Sequence, residues 1–324
     1  MRVTPVTMRK KKQHLVPQSY LRRFADERGR LFVYDKVLRS RYSNTVRNVA
    51  QENGFYDLPR EAFPPGAEGD AVNLQAVEDV LSIYEGQFAE TCAGLIDDVE
   101  AKGIGPEQKR VMALFIAIQL LRTREARDMI VEFWNKAGQV ITDVFAEARF
   151  PDAPPDLYPR FSLDKNTESL WHTQFMLDEN TLRAMSVTLL GHIWQIGVND
   201  TDHSFYTSDH PVVKHAHLRH PLKSMAGIGS PGIEVAFPLT PRYILTLAER
   251  TTFRSLEPQD GKALLLTADN VTWYNDLQVS GSYRQIFCPI DNFALAEEIC
   301  RQRPEVCNPS RERVLVNPYH PPKK

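Results

Sequence analysis

The run Val-Met-Ala-Leu-Phe-Ile-Ala-Ile-Gln-Leu-Leu at 111–121 constrains this chain more than any other segment. It is apolar on nearly every face of a helix, and such a helix is stable only when it is covered all round. The fold must therefore be built about it. One cover lies just upstream. Leu74, Val77, Leu81, Phe88, Cys92, Leu95 and Val99 follow a 3-4 rhythm, which predicts an amphipathic helix of about seven turns. Gly103, Gly105 and Pro106 break it, and a connection this short predicts antiparallel packing. The apolar run then belongs to a second long helix over roughly 106–148, with room for a bend or break. The Pro-rich stretch 151–159 ends the helical stretch, and a further helix is expected over 179–191.

The last third changes period. Residues 193–199, 204–209, 233–239, 243–248 and 285–290 are short apolar or alternating runs between turn residues, as in a mostly antiparallel sheet. Helices are expected around 268–280 and 292–301. Near the start, Pro17 opens a short helix carrying Tyr20, Leu21 and Phe24, and 31–36 alternates like a strand. The expected fold class is α+β, a central long-helix bundle packed on a mostly antiparallel sheet from the C-terminal third plus an N-terminal hairpin. The expected organisation is a basic mobile tail over 1–12 and one domain over 13–303. That domain has a helical half at about 70–195 and a sheet-rich half at about 192–290, and an extended tail follows over 304–324.

Charge narrows the functional classes. Lys and Arg number 39 against 41 Asp and Glu, a net charge of −2, far from the strongly basic balance of proteins that coat nucleic acid. Arg9, Lys10, Lys11 and Lys12 form one basic run, read as a solvated tail or a phosphate-binding arm. No stretch of about 18 apolar residues is present, so no membrane span is expected. The first residues lack an apolar signal core, and the four cysteines form no C-x-x-C pair. Together these predict a cytoplasmic protein with reduced thiols, Cys300 and Cys307 being a weak zinc candidate. Phosphate-loop, zinc-protease, nucleophile-elbow and dinucleotide fingerprints are all missing.

Four places break the pattern around them. Glu85 sits on the apolar stripe of its helix, between Leu81 and Phe88, where a carboxylate must be paired, bind a metal or shift its pKa. It is read as a structural ion pair, a metal ligand or a general acid or base. Gln119 and Arg122 share one face of the most apolar helix. Arg122 suits a bidentate anion, with Glu85 on the adjacent helix as its cheapest partner and an anionic ligand as the alternative. His14 precedes the Pro17 helix, whose N-terminus should keep the ring neutral and able to act as base or metal ligand. Thr207-Ser208-Asp209-His210-Pro211 ends a strand, the kind of place where rigid scaffolds present reactive groups, though an Asx-type turn is the plainer reading. His203, His210, His215, His217 and His220 crowd the same region, and His215-x-His217 on a strand would place two rings on one face.

Taken together, these segments resemble a bacterial family catalogued as domain of unknown function 4238. The resemblance rests on Gln13-His14-Leu15-Val16-Pro17-Gln18-Ser19-Tyr20-Leu21-Arg22-Arg23-Phe24, then 32–36, Val49-Ala50, Phe55-Tyr56 and Glu85. It continues through Gln119, Arg122-Thr123, Thr207 to Val212, Pro238 to Pro241, Asn275 and Arg284. His210 departs from it, since the family more often carries Asn or another small polar residue there. The resemblance implies that His14, Glu85, Gln119, Arg122, Ser208 and Asp209 belong to one pattern drawn from distant segments, and it implies no reaction.

Such a set fits a hydrolytic or phosphoryl-type centre. The leading expectation is a hydrolase, nuclease- or phosphodiesterase-like, acting in bacterial defence. His14, Glu85 and Asp209 would be catalytic or would hold a divalent metal ion. Gln119, Arg122 and Ser208 would bind the ligand, and His14 and Asp209 would share one cleft. The alternative is a non-catalytic module for a nucleotide, nucleic acid or protein partner.

Overall fold

A computed structural model describes residues 12–66 and 73–315. The chain is α+β, and two long helices carry its centre. Helices α1 (Gln18–Leu21) and α2 (Ala76–Lys102) precede α3 (Pro106–Leu121), the apolar helix. Next come α4 (Arg124–Arg149), α5 (Lys165–Leu177), α6 (Glu179–Leu190), α7 (Ala268–Gly281) and α8 (Ala294–Gln302). Residues 111–121 are almost entirely buried, as an all-round apolar helix requires. Phe88 of α2 stacks on Phe115 of α3 with centroids 3.6 Å apart. Gly103 takes the turn between the two helices at φ +64, and a Cβ there would come within 1.9 Å of the Gly261 carbonyl. That carbonyl accepts the Ile104 N–H, so the turn is tied directly to the sheet side of the protein.

The strands form three sheets. A short ribbon pairs β1 (Lys12–His14) with β4 (Gln51–Asn53). Strands β2 (Arg30–Asp35), β3 (Ser40–Thr45), β6 (Thr207–Ser208) and β11 (Gln285–Cys288) make a four-stranded sheet in the order β3-β2-β11-β6. Strands β5 (Ile193–Asn199), β7 (Val213–Ala216), β8 (Ile233–Pro238), β9 (Tyr243–Ala248) and β10 (Ala263–Leu266) make a five-stranded sheet in the order β10-β5-β9-β8-β7. Pairing is antiparallel except between β5 and β10. Phe237 of β8 faces the helices, 5.1 Å from the Tyr20 ring and 6.0 Å from Phe115.

The structure corrects one expectation, sharpens a second and adds an element. The single sheet is divided: the N-terminal hairpin joins only the smaller sheet, and the chain crosses between sheets at Asp209-His210-Pro211, where proline can donate no ladder hydrogen bond. The break allowed for within 106–148 falls at 122–123, where the Thr123 hydroxyl accepts the Ala126 N–H and caps a new helix. Helix α5 was not expected. Its Asp164 cap, which accepts from Asn166 and Thr167, was a readable signal, but its apolar residues are split between buried Met176 and exposed Trp171 and Phe175. Of the basic run, Arg9, Lys10 and Lys11 lie outside the described residues. Residues 308–315 lie along α4, where Arg311 and Arg313 pair with Glu125 and the Glu132 carboxylate accepts from the Arg313 and Val314 backbone. No helix among the described residues is long and apolar enough to cross a membrane.

Candidate functional site

His14 ends β1, opposite Gln51. Its Nε2 lies 3.2 Å from the Arg47 carbonyl, which can only accept, so Nε2 carries the hydrogen and Nδ1 is left unprotonated. The Gln18 amide stands 3.5 Å from that Nδ1. Burial lowers the ring's pKa, against the opposing pull of the Arg47 carbonyl and Glu85. The neutral ring expected from sequence is thus present for a different reason: α1 is a single turn, and loss of water keeps the proton off.

Arg122 ends α3 with its side chain 1% exposed. Nη1 meets Glu85 Oε1 at 2.8 Å, Nη2 donates to the His14 carbonyl at 2.7 Å, and Nε points to the Tyr56 hydroxyl at 3.4 Å. That hydroxyl donates to the Arg122 carbonyl at 2.6 Å, one of the groups a helix end leaves without a partner. Burial alone would weaken the guanidinium's hold on its proton, but Tyr56 and Glu85 outweigh it and the pKa rises. One turn earlier, the Gln119 amide donates to the Leu15 carbonyl at 3.1 Å. Gln13 completes the arrangement: it donates to Asp57 at 2.7 Å and accepts the Tyr56 N–H. Helix α3 thus holds the backbone at 14–15 through two side chains, and Gln13 and Tyr56 brace it from the other side. Gln13 was missed as a functional residue; the signal was an amide in a strand beside apolar Leu15 and Val16.

Glu85 is different, because its side chain remains 26% exposed. With His14, Gln18, Arg22 and Ser82 it lines a cleft of about 330 Å³ between α1 and α2. Gln119, Ser208 and Asp209 are not among the lining residues.

Asp209 belongs to a second network. Its carboxylate accepts the backbone N–H groups of Tyr283, Arg284 and Gln285, each at 2.8 Å. Burial pushes its pKa up to about 6, even though those N–H groups and nearby Lys36 favour the charged form. Lys36, fully buried, donates to the carbonyls of Val279 and Ser282 at 2.9 and 2.7 Å, and burial lowers its pKa to about 8. Ser208 donates to Gln278 at 2.8 Å, and Gln278 donates to the Pro211 carbonyl at 2.7 Å. His210 is hydrogen-bonded to Thr123 at 2.6 Å, and burial holds its pKa at about 3. Asp209 and Lys36 fix the connection from α7 to β11, Gln278 ties α7 to Ser208 and Pro211, and His210 ties the same turn to the start of α4. Lys36 and Gln278 were missed as members of this network.

The structure therefore joins His14, Glu85, Arg122 and Gln119, and keeps Ser208 and Asp209 apart from them. The two networks touch through chain neighbours: Thr123, next to Arg122, is hydrogen-bonded to His210, next to Asp209, and a second path runs from Leu15 to the Ala50 carbonyl and from the Ala50 N–H to the Gln285 side chain. The shared cleft expected for His14 and Asp209 is not formed, because strand β11 draws Asp209 toward its backbone. Among the described residues, no group of three or more His, Cys, Asp and Glu side chains is arranged to hold a metal ion, so His14, Glu85 and Asp209 do not form one cage. The cluster around His215 supplies no third ligand either: His215 and His217 stack edge to face at 4.6 Å, and His217 bonds to Glu234 at 2.7 Å.

Fold and site define an α+β protein in which two polar knots fasten an N-terminal segment and a strand connection, with one small cleft open beside the first. The chain matches the family described as a protein of unknown function (DUF4238) over residues 12–290, most of its length, and it belongs to that family. No curated protein and no solved structure matches it.

Proposed function

We propose that the protein is a non-catalytic binding module, and that the His14–Glu85 cleft receives a small polar ligand of the nucleotide class. One observation carries this reading. Apart from the Gln119 side-chain oxygen, the buried polar groups that suggest catalysis in sequence are spent on backbone groups and on each other, whereas Glu85 is fixed by Arg122 and still reaches the cleft. A carboxylate held this way accepts a pair of N–H donors, such as the edge of a purine offers. Gln18 and Ser82 add hydrogen bonds, and Arg22 supplies a cation for a phosphate. The volume lies at the small end of ligand sites. Calorimetric titration with nucleoside phosphates tests it. Binding that weakens at least about tenfold in Glu85→Gln, with folding intact, supports the reading. Absence of binding by every nucleotide would turn the search to a protein partner.

A second reading keeps the hydrolase, of nuclease or phosphodiesterase type, in a cytoplasmic role in bacterial defence. The observation favouring it is the neutral His14 ring, whose unprotonated Nδ1 is the form a general base needs. Glu85 would be its acidic partner, or with His14 would hold a divalent cation completed by substrate and water. Turnover of a nucleotide or phosphodiester that vanishes in His14→Ala would establish it; binding without turnover leaves the module.

A further inference from the structure

Helix α4 carries one continuous apolar stripe. At about 100° per residue, Ala126, Ile130, Phe133, Ala137, Ile141 and Val144 fall on one face, with Trp134 and Phe145 along one border. The stripe begins inside the protein, where Ala126 and Ile130 are buried. It then runs out of it: Ile141 is 58%, Val144 61% and Phe145 71% exposed. The chain that returns from α4 packs elsewhere. Phe161 lies over Gly138, its N–H reaches the Gln139 side chain at 2.8 Å, and Leu163 N–H reaches Asn135 at 2.8 Å. Asn135 and Gln139 point away from the stripe, and Gly138 lies just beyond its Phe145 border. Trp134 touches Trp171 of α5 edge to face at 5.3 Å, and Phe175 extends the aromatic surface along a shallow groove of about 450 Å³.

We propose that this face is the interface with a second copy of the chain, the two α4 helices packing antiparallel about a two-fold axis between Val140 and Ile141. The stripe is complementary to itself in that register. Phe133 falls opposite the partner's Ala148, Ala137 opposite the partner's Val144, and Val140 opposite the partner's Ile141, so large residues face small ones at both ends. An antiparallel pair also brings like borders together. On one border Trp134 meets the partner's Phe145. The other border carries Lys136, Asp143 and Glu147, but Lys136 is held within its own chain by Glu132 and Glu312, so the proposed seam rests on its apolar contacts rather than on charge. The area agrees. The large apolar side chains from Phe133 to Phe145, with Trp171 and Phe175, leave on the order of 700 Å² open. That exceeds what monomers usually expose and approaches the roughly 800 Å² per partner of a standard interface.

Sedimentation equilibrium of the full chain at micromolar concentration tests the proposal. The expected result is a dimer whose Kd rises at least about 100-fold in Ile141→Glu/Val144→Glu, both solvent-facing in the monomer, with an unchanged circular dichroism spectrum. Register is read separately. Under mild oxidation, Ile141→Cys should cross-link across the axis, while Leu157→Cys, equally open but off the stripe, should not; the four native cysteines are buried. A monomer at every concentration, or a dimer indifferent to the double glutamate variant, overturns the proposal. So does a monomer that binds anionic phospholipid vesicles through this face, which would assign the stripe to a membrane surface.

Discussion

Asp209 and Glu85 are both carboxylates set among apolar residues, and they are used in different ways. Asp209 is filled from the backbone by three N–H groups, and its neighbours Lys36, Ser208 and Gln278 also end on backbone or on each other. Glu85 has one buried partner, the Arg122 guanidinium, and keeps contact with the cleft. A buried polar group whose whole capacity is taken by the backbone holds a loop in place. One held by a single side chain, with a face left to water, can still meet a ligand.

The largest effect should come from emptying the closed network. Asp209→Ala strands three backbone N–H groups and removes the nearest negative charge from Lys36, so it should cost about 3–5 kcal/mol in urea unfolding. A loss below about 1 kcal/mol would mean that water enters the site and that the two carboxylates are not so different. Arg122→Met should follow at about 2–4 kcal/mol, because it leaves the His14 carbonyl without its donor inside the protein, while the Tyr56 hydroxyl keeps its bond to the residue 122 carbonyl and Glu85 can turn to solvent.

Acid titration gives the next contrast. His172 and His210 both fall to about 3 through burial, from an unfolded value of about 6.5. For these depressed groups the stability is complete above about pH 6.5 and is lost as pH falls toward 3. Asp209 has the opposite sign. Its pKa is raised to about 6, so its contribution is complete below about pH 4 and declines as pH rises to 6. Between pH 4 and 6 the unfolded chain binds two protons on the histidines, and the folded chain binds one on Asp209. These groups together should make stability rise with pH by about 1.4 kcal/mol per unit. Asp209→Asn should roughly double that slope, measured by urea midpoints across the range. An unchanged slope would place the ionisable burden elsewhere.

The smallest effect on stability is expected at the open carboxylate. Glu85→Gln should shift stability by no more than about 1 kcal/mol, since Gln can still accept from Arg122 and Glu85 is partly hydrated. A loss comparable to that of Asp209→Ala would make Glu85 a second clasp and leave the cleft without its anchor.

How much of this was legible in sequence varies by residue. Glu85 and Arg122 could be paired beforehand, because each violated the apolar stripe of its helix and the short connection at 103–105 forced the helices together. Gln119 was legible as an anomaly, though not as a hand on the Leu15 carbonyl. Asp209 was legible only as a polar residue at a strand end. Its partners are backbone N–H groups of residues 283–285, and side-chain identity says nothing about where those N–H groups point. Lys36 was invisible for the same reason, since both its acceptors are carbonyls.

By itself the sequence determined the element types over most of the chain and the burial of α3, because hydrophobic period and local caps are written residue by residue. It also settled which polar residues had to find partners, because an unpaired polar group in an apolar face is costly wherever the chain goes. Only the tertiary structure decided which partners they found. It sent the chain from the four-stranded to the five-stranded sheet at Pro211, gave Asp209 to the backbone of β11, and left His14 and Glu85 facing the same cleft. Those outcomes depend on which backbone groups converge in space, and convergence between distant segments is fixed by packing, not by any local pattern.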